Sequence, residues 1–109
     1  MGGEVKMKPE RIISALIKPL VISGVYKDEV VALKDIIADY IEREKKIYDE
    51  VILALEKKYS KDFKMFTKDI KNKATIELEE DWMEWKSAIE MKKAYEEALK
   101  GVIESAAKV

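Results

Sequence analysis

Between Lys27 and Lys58 the chain contains neither glycine nor proline. Val30, Leu33, Ile37, Tyr40, Ile41, Ile47, Val51, Ile52 and Leu55 recur through this stretch at helical spacing and make one apolar stripe. A helix of about 30 residues is about 45 Å long. Such a helix exceeds what a small globular core covers, so the stripe predicts a coiled-coil-like hairpin or an oligomer seam. The stripe thins at Glu42-Arg43-Glu44-Lys45-Lys46. That segment reads either as a solvated part of one continuous helix or as a joint between two units.

A second long helix is predicted from a Thr75 cap to about Ala106, with Leu78, Trp82, Trp85, Ile89, Tyr95, Leu99, Val102 and Ala106 as its stripe. Glu77, Glu79, Glu80 and Asp81 crowd its start, where the helix dipole favours negative charge. Gly101 weakens the helix by up to about 1 kcal/mol relative to alanine. Between the long helices, Ser60 reads as the N-cap of a short helix from Lys61 to about Lys71, and Asn72-Lys73-Ala74 as a loop. Near the N-terminus, Ile12, Ile13, Leu16, Ile17, Leu20 and Val21 predict a helix from Pro9 to Ser23, closed by Gly24. Pro19 interrupts it, which predicts either a kink near Lys18 or two short helices. Upstream, Val5 and Met7 alternate with Glu4, Lys6 and Lys8, the period-two signature of a short strand. The expected fold class is all-α: two long antiparallel helices plus shorter helices, with an N-terminal β-strand that would pair in a dimer ribbon. The expected division is residues 1–45 as a dimerising segment and 46–109 as a helical hairpin.

Composition narrows the chemistry. The 109 residues include no cysteine and no histidine. Disulfides, thiolate nucleophiles and the commonest general base and transition-metal ligand are thereby excluded. Ser14, Ser23, Ser60, Ser87 and Ser105 have no imidazole to activate them. No enzyme, metal site or cofactor is expected. No apolar run approaches the roughly 20 residues that span a bilayer, and the start lacks the apolar core of a signal peptide. A cytoplasmic protein without a membrane partner is expected.

The net charge of −1 hides strong local blocks. Residues 57–73 hold seven lysines and two aspartates, whereas residues 77–84 hold five carboxylates and no base. These neighbours could pair across the loop or remain two solvated faces. Residues 1–27 hold five basic and two acidic residues. In a ribbon–helix–helix arrangement, two copies pair their strands and insert the ribbon into the DNA major groove. Val5 and Met7 would then face the dimer core, Lys6 and Lys8 the DNA, and Arg11 and Lys27 the phosphates.

Leu20-Val21-Ile22-Ser23-Gly24-Val25-Tyr26, followed by Val30-Val31-Ala32-Leu33 and Ile36-Ile37, resembles the ParD/CopG-like antitoxins. Lys8-Pro9-Glu10 resembles the strand-to-helix junction of those domains. Pro19 and Asp28-Glu29 depart from the family pattern, which has Ser-Glu at the latter position. The resemblance covers about residues 5–44. Tyr59 through Phe66 and Glu80 through Lys86 are similar, more loosely, to small helical prokaryotic antitoxin-like proteins. The resemblance implies a homodimer that binds double-stranded operator DNA through its N-terminal half and a toxin protein through its C-terminal half. Asp81, Trp82 and Trp85 would be anchors for that basic partner. Without the resemblance, Trp82 and Trp85 read as core residues. The alternative function is a non-enzymatic helical scaffold that self-associates through its long amphipathic helices and binds no DNA.

Overall fold

A computed structural model describes residues 8–108, and these form four helices. Lys8 precedes α1 (Pro9–Ile22), with Pro9 at the first helical position, where no N–H is needed. The helix passes through Pro19 as a single element. The proline leaves the Ala15 carbonyl without its helical donor. The turn after α1 is closed by Ser23 N–H to Pro19 O (3.0 Å), Gly24 N–H to Val21 O (3.0 Å) and Tyr26 N–H to Leu20 O (3.0 Å). Gly24 lies at φ +82°, a conformation open to glycine at little cost.

α2 (Glu29–Tyr59) begins at Asp28, whose carboxylate accepts from Val31 N–H at 2.9 Å. It is continuous through Glu42–Lys46, so the thinned stripe is a solvated stretch and not a joint. The sequence division at 45/46 therefore falls inside one helix. α2 ends at Ser60, which adopts left-handed backbone at φ 53°. Ser60 thus closes α2. The cap of α3 (Phe63–Ile70) is instead Asp62, which accepts from Met65 N–H at 2.8 Å. That corrects the reading of Ser60 as an N-cap: the left-handed residue terminates one helix, and the next carboxylate starts the other. Thr75 caps α4 (Ile76–Ala107) as expected, accepting from Leu78 N–H at 3.2 Å.

α2 and α4 pack antiparallel along their length. Ion pairs mark the register: Lys58 with Asp81 (2.7 Å), Asp49 with Lys92 (2.7 Å) and Lys45 with Glu96 (3.8 Å). Tyr95 lies between Tyr40 and Tyr48, with ring centroids 6.3 and 5.9 Å away. The short helix α3 lies against α4 at the connecting end, and α1 lies against α2 at the opposite one. The all-helical class and the long hairpin match the sequence reading, and no strand is present among the described residues. The strand expected at residues 4–8 lies outside the described residues except for Lys8. α1 packs on α2 of its own chain. The molecule is long, 60 × 40 × 24 Å, with a radius of gyration of 20.8 Å. A compact chain of about 100 residues has about 13 Å.

Candidate functional site

The two ends of the hairpin differ in how well they bury their apolar residues. At the connecting end, Leu55 of α2, Phe66 of α3 and Trp85 of α4 are buried together, wrapped by Val51, Tyr59, Phe63, Leu78 and Trp82 among others. Trp85 is fully buried, with Phe66 at 5.2 Å and Phe63 at 5.6 Å between ring centroids. Its indole N–H has no acceptor among the described residues. Trp82 is half-buried and donates to Thr67 Oγ1 at 2.9 Å, and that hydroxyl donates to Phe63 O at 2.8 Å. Lys86 lies over the Trp82 ring at 5.2 Å.

Asp81 is also tied inward. It accepts from Lys58 Nζ at 2.7 Å and from the Tyr59 hydroxyl, while Lys58 reaches Glu77 at 3.3 Å. The Lys58 ammonium and the Tyr59 hydroxyl hold the Asp81 carboxyl below its ordinary value. Burial and the bond to Asp81 push the Tyr59 phenol up. Asp81 and Glu77 push the Lys58 ammonium up as well. One lysine of the basic block thus pairs with the acidic block across the loop. The three residues expected to anchor a partner, Asp81, Trp82 and Trp85, are placed together here. Trp85 presents no surface, Asp81 spends its charge within the chain, and only Trp82 keeps part of a ring accessible.

The residues expected at DNA are dispersed. Lys6 lies outside the described residues. Lys8 caps α1 and Arg11 lies in its first turn, where Arg11 N–H donates to Lys8 O at 3.0 Å, and both are exposed. Arg11 and Lys18 line a shallow depression with Ser14, whose hydroxyl donates to Glu29. Lys27 is exposed in the turn before α2. The positive start of α2 is already occupied by the Asp28 carboxylate, with Glu29 beside it. A phosphate there would meet two negative charges, so Lys27 does not sit at an open anion site.

The open end shows the opposite balance from the aromatic one. Only Ile17 of α1 and Ala32 of α2 are buried around the corner between these helices. Ten of the sixteen large apolar side chains exposed among the described residues fall between Ile12 and Ile47. Between the first half of α2 and the last turns of α4 runs an apolar groove of about 590 Å³, lined by Val30, Leu33, Ile37, Ala98, Gly101 and Val102. No family model, curated protein or solved structure matches this chain. The groove was not singled out by reading the sequence, although a signal was there. Ala98, Gly101 and Ser105 recur at three- and four-residue spacing on α4 and lower one wall. Taken alone, Gly101 reads only as a weak point in a helix. Among the described residues, no three acidic side chains converge to hold a metal ion, and no helix is long and apolar enough to cross a membrane.

Proposed function

We propose that this chain is a helical protein-interaction module that self-associates through its open apolar end. The aromatic end acts as the rigid clamp that holds the hairpin together. One observation carries the reading: exposed Ile, Leu and Val side chains are concentrated on α1 and the first half of α2, while the other end buries Leu55, Phe66 and Trp85 together and exposes fewer large apolar side chains, Met65, Ile76 and Met83 among them. A concentration of exposed apolar side chains is what an association face presents. Such association is driven by apolar burial, so it is expected to persist when salt is raised. Sedimentation of the full chain at low and high salt tests this. A complex that keeps its mass at high salt supports the module, and a monomer under both conditions ends it.

A second reading is the ribbon–helix–helix antitoxin. The turn from Leu20 to Tyr26 favours it, because Gly24 is left-handed and Tyr26 N–H closes back on α1, joining two helices at the offset the resemblance implies. Its test is binding to duplex DNA from the protein's own upstream region against scrambled duplex, using the wild type and a Lys8→Ala/Arg11→Ala variant. Specific binding that weakens with salt and is lost in the variant supports it. Equal or absent binding to both duplexes counts against it.

A further inference from the structure

The open groove has a ligand of matching shape in the same sequence, and we propose that it seats α1 of a second copy, reciprocally, in a two-fold dimer. This inference rests on the self-association reading above and names the surfaces that meet.

The first argument is area. The chain exposes 8557 Å². A compact monomer of its mass would expose about 6,200 Å². Even if the eight residues outside the described stretch are allotted the full surface of an unfolded chain, roughly 1,100 Å² remains in excess. A standard interface removes about 800 Å² from each partner. The uncovered surface is therefore large enough for a stable dimer.

The second argument is complementarity. The groove runs from Val30 to Ile37 on α2 and from Ala98 to Ala106 on α4. That is about two helical turns, or roughly 12 Å. On α1, Ile12, Ile13 and Leu16 are exposed along about one turn, roughly 6 Å, so they would fill about half of that groove, and Leu16 is 71% exposed. These residues cannot reach their own groove while Ile17 is buried and Ser14 is bonded to Glu29 on α2. A groove floored by Ala98 and Gly101 admits the close approach of another helix, and a Cβ built on Gly101 meets nothing within 4 Å. In a two-fold contact each copy seats the other's α1, and such a contact closes the assembly.

The experiment is sedimentation equilibrium of the full chain and three variants, with helicity followed by circular dichroism. Wild type is expected at twice the 12.6 kDa chain mass. Leu16→Glu places a charge on the docking stripe without touching a buried residue. Gly101→Leu fills the groove floor while strengthening α4, so it serves as the variant that cannot fail by unfolding the helix. Each is expected to weaken dimerisation by about tenfold or more. Leu53→Glu, exposed on α2 away from the groove, is expected to remain dimeric. A monomeric wild type overturns both this inference and the self-association reading, leaving a foreign helix or an apolar ligand as the occupant. A wild-type dimer that survives either Leu16→Glu or Gly101→Leu overturns the reciprocal seating alone. Mass growing beyond two copies with concentration also overturns it, because a two-fold contact closes.

Discussion

Trp85 and Asp81 carry most of the residue-scale physics. Trp85 is the largest fully buried side chain, yet its N–H lacks an acceptor among the described residues. An unsatisfied buried donor costs about 1–3 kcal/mol, which Trp85→Phe relieves while losing part of the ring contact. Trp85→Ala is expected to lower unfolding free energy by about 3–5 kcal/mol. Trp85→Phe should cost less than half of that, as read by urea titration. Asp81 sets the pH response of the same end. Its carboxyl is held low by Lys58 and Tyr59, so its contribution is present above the ordinary carboxylate range and is lost as pH falls through its folded value. Tyr59 is raised, so its contribution is present below the ordinary phenol value and is lost as pH rises through the folded one. Thermal midpoints measured against pH should fall at both extremes, and Asp81→Asn should flatten the acid limb more than the alkaline one, because burial is the first cause of the Tyr59 rise and remains in the variant. An acid limb unchanged in the variant would show that other groups set it. The aromatic types and their i, i+3 spacing were visible in the sequence. The inward ties of Asp81 were not, because Lys58 and Tyr59 lie 23 and 22 residues away along the chain.

At the scale of elements, caps and punctuation decided the boundaries. Thr75 and Gly24 act as their types suggest. Ser60 does not, because a serine beside an aspartate offers two candidate caps, and the packing of α3 against α4 selects Asp62. Ser60 is left holding φ 53°, where a non-glycine residue is strained by about 1–2 kcal/mol. Ser60→Gly is expected to stabilise the chain by up to about 1 kcal/mol once the added freedom of the unfolded glycine is offset. A differential scan should show the midpoint rising by a few degrees, and a fall would mean that the hydroxyl matters to the turn. The long helices were legible because their stripes run for many turns. Continuity through Glu42–Lys46 was not, since a polar stretch is compatible with both a helix and a joint until α4 lies alongside it through Lys45–Glu96 and Asp49–Lys92.

Over the whole molecule, stability should be graded from one end to the other. The aromatic end concentrates burial, while α1 contributes one buried side chain. Local opening follows burial and contact density. Amide hydrogen exchange in dilute solution is therefore expected to be slowest around Leu55, Phe66 and Trp85 and fastest in α1 and the last turns of α4. Uniform protection along both long helices would refute the gradient. Raising the protein concentration should slow exchange in α1 if self-association covers it, with little change at the aromatic end.

The amino-acid pattern by itself determined that this chain is helical, that two helices are long, and where the four begin to within two residues. Periodicity and capping are local, so they act before any tertiary contact forms. Tertiary structure decided between the two readings of Trp85, core and anchor, and it alone showed that α2 is unbroken and that the apolar stripes are better covered at one end than at the other. Those outcomes depend on which faces meet across α2, α3 and α4, and a face left bare is defined only by the elements that fail to reach it.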